Sequence, residues 1–133
     1  LHVEDHARAL VLILTRGTPG RRYHVSSETE QRNIDVVHLI CREIDAALPG
    51  RLDRPHRTLI DHVADRLGQD RRYALASRRL RDELGWTPRV SFADGLGATV
   101  RWYLDNREWW EPLRGAVYRG ERLGLATGGG IGL

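Results

Sequence analysis

The sequence predicts a small α/β domain, and three observations carry that prediction. The chain has 133 residues, the size of one hydrophobic core. Its 41% hydrophobic and 29% charged residues are the proportions of a folded globular protein. Segments with helical apolar spacing alternate with short stretches that read as strands.

Taken in order, residues 1–3 read as the end of a strand. Asp5 then stands as the N-cap of a helix whose apolar stripe is Ala7, Leu10, Val11 and Leu14, and Thr18, Pro19 and Gly20 end it. Residues 22–25 alternate, with Tyr23 and Val25 on one face, as a short strand does. A polar loop over residues 26–32 follows. Asn33 is the predicted N-cap of a helix buried along Val37, Ile40, Cys41, Ile44 and Leu48, which Pro49 and Gly50 stop. Residues 59–63 read as a strand and residues 64–70 as a loop. Ser77 caps a short helix through Leu84 with Gly85 at its end. Ser91 and Asp94 form a capping box for the last long helix, which carries Leu96, Val100, Tyr103 and Leu104. Tyr103, on that stripe, is predicted to be core. From Pro112 the period is lost, and residues 114–133, rich in glycine toward the end, predict a disordered tail.

Composition excludes several classes of function. No apolar run is long enough to span a bilayer, no signal-peptide pattern opens the chain, and the single Cys41 has no intramolecular partner for a disulfide. These features predict a cytoplasmic protein without a membrane partner. All 21 cations are arginines against 18 acids, and the two signs are interleaved. That pattern does not make the clustered basic face that nucleic acid needs. Arg78, Arg79 and Arg81 share their helix with Asp82 and Glu83 and read as a solvated face. His2, Glu4, Asp5 and His6 are metal-ligand types, but a strand end turning into a helix separates the two imidazoles, so no metal site is predicted. No serine elbow is present, Cys41 lies on a helix stripe, and the glycines at 128–132 open no helix, so no nucleophile and no dinucleotide fingerprint are predicted. Trp102, Tyr103, Trp109 and Trp110 form an aromatic group suited to packing or to meeting another domain. The loop over residues 64–73 is the most suggestive segment. Its forked arginines suit bidentate capture of a phosphate, and Asp70 suits acceptance from ribose hydroxyls; a surface loop of ion pairs is the competing reading.

Five segments then occur in a familiar order: residues 2–10, residues 23–37, the loop 65–73, Leu84-Gly85-Trp86-Thr87-Pro88, and Thr99-Val100-Arg101-Trp102-Tyr103. Together they resemble the extended short-chain dehydrogenases/reductases that act on nucleotide sugars, and the run from Trp102 to Leu113 resembles the C-terminal helix of the dTDP-glucose 4,6-dehydratases among them. The likeness covers residues 1–113. It implies the small C-terminal substrate-binding domain of such an enzyme, with the NAD-binding Rossmann domain absent from these residues. The family's glycine-rich turn, its Tyr-x-x-x-Lys pair and its acid–base carboxylates precede this region, so no catalytic residue is expected here. NAD is implied for the full-length family and none is expected to bind this chain alone, which should be inactive by itself. The absence of methionine at Leu1 predicts a piece of something longer.

By position, the resemblance implies that Arg66 contacts the nucleotide diphosphate. Gln69 stands where the dehydratases have histidine, Leu67 where proline is usual, Thr29 where an asparagine contacts the nucleotide, and Ala76 where aspartate is frequent. The expected substrate-binding residues are therefore Arg66, Gln69, Asp70 and Thr29, and the expected ligand is a dTDP-sugar. An exposed interface between domains is expected to mediate association, including a homo-oligomer. The alternatives are a fragment of a nucleotide-sugar epimerase or decarboxylase, and a non-catalytic remnant or docking module.

Overall fold

The computed structural model describes residues 1–65, 68 and 70–117. The predicted roles of Arg66, Leu67 and Gln69, and the tail beyond Val117, lie outside the described residues. Five α-helices and one 3-10 turn follow in order: α1 (Val3–Arg16), α2 (Asn33–Ala47), the turn His56–Leu59, α3 (Arg78–Leu84), α4 (Phe92–Asp105) and α5 (Arg107–Val117).

The core lies where α1 meets α3. Ala9, Leu80, Leu84 and Trp86 are buried together, and Leu12, Ile13, Tyr23 and Val25 pack partly against them. The predicted end of α3 is seen, with Gly85 in the left-handed conformation at φ 70° and its N–H on the Arg81 carbonyl. A second contact sets α2 against α4 and against the 3-10 turn. The turn is tied to α2 by Asp45, which accepts from the His56 backbone N–H at 3.0 Å and lies 2.5 Å from His56 Nδ1. Two glycines let α4 approach its neighbours. A Cβ on Gly95 would sit 3.2 Å from the His2 side chain, and one on Gly97 would sit 2.9 Å from Glu43 Oε2. The cap of α4 is as predicted: Ser91 Oγ accepts from the Asp94 N–H at 3.1 Å and donates to the Asp94 carboxylate at 2.6 Å.

Several expectations are corrected. The α/β class is not seen, because the described residues contain helices and loops and no strand. Val3 is helical, residues 22–25 form no strand and are tied instead to α3, with Arg79 donating to the Arg22 carbonyl and the Tyr23 hydroxyl to Glu83, and residues 59–63 leave the end of the 3-10 turn as irregular chain. A strand exists only through the ladder bonds a neighbour supplies, and no neighbouring strand is present among the described residues. Asp5 is not the cap of α1. His2 is, its Nδ1 accepting from the Glu4 N–H at 3.4 Å, and Asp5 is buried within the first turn.

The buried side of α1 is also not the predicted one. Ala9, Leu12 and Ile13 face the core, while Ala7, Leu10, Val11 and Leu14 are exposed. In α2 the cap residue is Arg32 rather than Asn33, its guanidinium forking onto Asp35 at 2.6 and 2.9 Å, and Val37 is exposed. Tyr103 is 49% exposed rather than core, because it stacks edge-on with Trp102 and Trp110 along the outer side of α4 and α5. Helix α5 runs through Pro112 to Val117, past the residue where the tail was expected to begin.

Candidate functional site

Loop 26–32, between Val25 and α2, lies beside the segment 70–76 that leads into α3. Two open cavities run along the seam, one of about 570 Å³ and one of about 350 Å³, and Glu30 and Tyr73 line both. Thr29 lines the smaller and Asp70 the larger. Two of the four predicted binding residues, 41 positions apart in sequence (70 − 29), thus line neighbouring cavities that share Glu30 and Tyr73. Arg66 and Gln69 belong to the same loop in sequence and lie outside the described residues.

Two sets of polar contacts hold the seam. Arg72 forks onto Glu30, Nε to Oε2 and Nη2 to Oε1, each at 2.6 Å. The Glu28 carboxylate accepts from the Ser77 N–H at 2.8 Å and from Arg81 Nη1 at 3.1 Å, and the Ser77 hydroxyl lies 3.0 Å from it. Ser77 therefore does not cap α3 with its own side chain; its hydroxyl turns instead toward Glu28 and the Ser26 carbonyl. Glu28 itself has φ 54°, a left-handed conformation that costs a non-glycine residue on the order of 1 kcal/mol or more. Its carboxylate contacts are what maintain that conformation, which turns the next residues, Thr29 and Glu30, toward the groove.

The electrostatics follow the contacts. The Arg81 guanidinium and the Ser77 N–H hold the Glu28 carboxyl below the usual carboxylate range, and Arg72 does the same to Glu30. Arg32 is occupied by Asp35 and Arg72 by Glu30, whereas Arg71 lines the larger cavity with no ion pair among the described residues. Thr29 Oγ1 donates to the Ser27 carbonyl at 3.2 Å, so its remaining capacity is as an acceptor. The groove thus offers a forked cation, carboxylate and hydroxyl acceptors, and the exposed ring of Tyr73. That combination suits a phosphorylated, hydroxyl-rich molecule with a planar group.

Sequence reasoning did not single out Glu28, Glu30 or Tyr73. The available signal was the acidic character of loop 26–30 set against the paired arginines at 71 and 72. Among the described residues the left-handed glycines are Gly20, Gly50, Gly68 and Gly85, and none of them joins a strand to a helix start. Nor do His2, Asp5 and His6 make a metal centre. Asp5 is buried on backbone N–H groups and His2 caps α1, so the two point to different work.

The chain is similar to known proteins over most of its length. The dTDP-glucose 4,6-dehydratase of Escherichia coli is 44% identical over 127 residues, which cover 94% of this chain and 35% of that protein. The probable dTDP-glucose 4,6-dehydratase of Sinorhizobium fredii is 50% identical over 125 residues, with the same coverage of 94% and 35%. Among solved structures, the dTDP-glucose 4,6-dehydratase of Bacillus anthracis in complex with NAD superposes with a TM-score of 0.72 at 35% identity, covering 85% of this chain and 33% of that one. The Streptomyces venezuelae dTDP-glucose 4,6-dehydratase, with NAD and the ligand TYD bound, gives 0.74 at 39% identity, covering 85% and 32%. The chain spans about a third of the length of the curated relatives it matches. The model of one family, GDP-mannose 4,6 dehydratase, matches residues 1–99, and with a match over that much of its length the chain belongs to that family.

Proposed function

We infer that this chain is the sugar-nucleotide-binding part of a dTDP-glucose 4,6-dehydratase-like enzyme, corresponding to the small C-terminal domain of an extended short-chain dehydrogenase/reductase. The observation that carries the reading is the seam between loop 26–32 and segment 70–76, where Asp70 lines one cavity and Thr29 its neighbour, Glu30 and Tyr73 line both, and Arg72 clasps Glu30. In this reading the guanidinium of Arg66 forks onto the diphosphate of a dTDP-sugar, and Gln69 donates a neutral hydrogen bond beside it. Asp70 accepts from ribose hydroxyls, and Thr29 takes part through its hydroxyl directly or by a bridging water. NAD belongs to the complete enzyme, where it supplies hydride transfer; these residues bind and orient the sugar nucleotide. No step of the dehydration is assigned to them, since holding nicotinamide and sugar together requires one closed site.

Calorimetric titration with dTDP, and with UDP as the competitor, tests the reading. A preference for dTDP is expected. Arg66→Ala should weaken binding by about 10- to 100-fold, the loss of one charge-assisted contact, with an unchanged circular dichroism spectrum. Unaltered affinity removes Arg66 from the site, and a preference for UDP assigns the chain to an epimerase or decarboxylase.

A further inference from the structure

Segment 22–25 runs along the outer side of α3, and an open cavity of about 610 Å³ lies between them. Two hydrogen bonds set its walls. Arg79 Nη1 donates to the Arg22 carbonyl at 2.9 Å, and the Tyr23 hydroxyl donates to Glu83 at 2.8 Å. Successive side chains of an extended segment point to opposite sides. Tyr23 and Val25 accordingly turn to the core, while Arg22 and His24, both exposed, line the cavity.

The charges there do not balance. Helix α3 contributes Arg78 and Arg79 together with Asp82 and Glu83. Arg78 Nε donates to Asp82 at 3.3 Å and Arg79 Nε lies 3.7 Å from Glu83, so each carboxylate already has a cation one helical turn away. Across from them, the side chains of Arg22 and His24 have no hydrogen bond or ion pair among the described residues. A fork of N–H donors and an imidazole thus stand on one side of the segment, facing a wall whose acids are occupied. A metal ion or an organic cation would find no free carboxylate in this cavity, and Ala76 is the one apolar side chain that lines it. A guanidinium fork matches two oxygens of a phosphate group, and an imidazole N–H supplies a further donor.

We propose that this cavity is a phosphate-binding site, in which Arg22 forks onto the anion and His24 donates beside it. It shares only Ala76 with the cavities of the nucleotide seam and none of their charged residues, so it stands apart from the nucleotide reading.

Titration of the full chain with inorganic phosphate, followed residue by residue in amide NMR spectra, tests it and separates this cavity from any binding at the seam. Saturable shifts are expected in residues 22–24 and 76–83. Arg22→Gln should raise the dissociation constant read from those shifts about tenfold or more, the loss of one forked charge-assisted contact. Ala76→Glu, which adds an uncompensated carboxylate to the lining, should weaken binding as well and keeps the test valid should the first variant misfold. Arg42→Gln, which removes an equal charge from the exposed side of α2, should leave it unchanged. A parallel titration with glycerol 3-phosphate distinguishes the sources: tighter binding of inorganic phosphate marks a free anion as the occupant, and tighter binding of the ester marks a phosphorylated metabolite. Absence of saturable shifts in these residues, binding that survives both Arg22→Gln and Ala76→Glu, or binding lost equally in Arg42→Gln overturns the proposal.

Discussion

Asp5 is the residue on which the packing of α1 depends most directly. Its side chain is 1% exposed and accepts the backbone N–H groups of Arg89, at 3.1 and 3.0 Å, and of Val90, at 2.9 Å, while Arg8 pairs with it and reaches the Thr87 carbonyl at 3.1 Å. Burial by itself raises the carboxyl's pKa, but the Val90 and Arg89 N–H groups and the Arg8 guanidinium overcome it and hold it at about 2, below the usual 3.8. A lowered folded-state value stabilises the fold above the unfolded value, and the contribution disappears as pH falls from 3.8 through 2. Stability followed by urea titration is therefore expected to drop across that acid range in the wild type and to drop less in Asp5→Asn. At neutral pH, Asp5→Asn should cost about 2–4 kcal/mol, since an amide leaves a buried donor facing the 89–90 N–H groups and Arg8 without its charge partner. Equal urea midpoints for the two proteins would remove Asp5 from this role. Glu28 is the corresponding residue of the groove. Glu28→Gly relieves the φ 54° backbone but removes the bonds to Ser77 and Arg81, and the net expectation is faster hydrogen exchange in residues 26–30 with α3 unchanged.

Among the elements, α4 carries two glycines that look alike in sequence and differ in surroundings. Alanine at Gly97 meets the end of a flexible side chain, Glu43, which swings aside, so the helix propensity of alanine is retained. Alanine at Gly95 meets the His2 side chain at 3.2 Å and Val90 Cγ1 at 3.3 Å, two positions held by the start of α1 and the turn before α4. Thermal unfolding should therefore rank Gly97→Ala at or above the wild type and Gly95→Ala about 1 kcal/mol or more below Gly97→Ala. Reversal of that order would mean that His2 and Val90 yield to a methyl group at Gly95 more readily than Glu43 does at Gly97. The boundaries of these helices were legible from local chemistry: Gly85 ends α3 and the Ser91–Asp94 pair starts α4 because both depend only on residues within a turn. The face each helix buries was not legible, since α1 carries apolar residues on both sides.

For the whole molecule, the buried apolar core comprises four residues among those described, and broad apolar surface remains on α1, α4 and α5. A fold with so small a core has marginal stability and gains from anything that binds only its native form. Family membership was readable in the sequence, because the ordered segments from His2 to Leu113 survive as residue identities whatever surrounds them. So were the end of α3, the start of α4 and the position of Asp70 and Thr29 on loops. The strands expected at residues 1–3, 22–25 and 59–63, the buried face of α1 and the exposure of Tyr103 were decided elsewhere. The strands and the α1 face depend on neighbours distant in sequence, a strand on another strand's backbone and α1 on α3 and on the 89–90 N–H groups that Asp5 meets, while Tyr103 is set by the turn that brings Trp110 onto it. Local patterns encode what a residue does within a turn of itself, and only tertiary packing selects which of two apolar faces, or which of several polar partners, it finally meets.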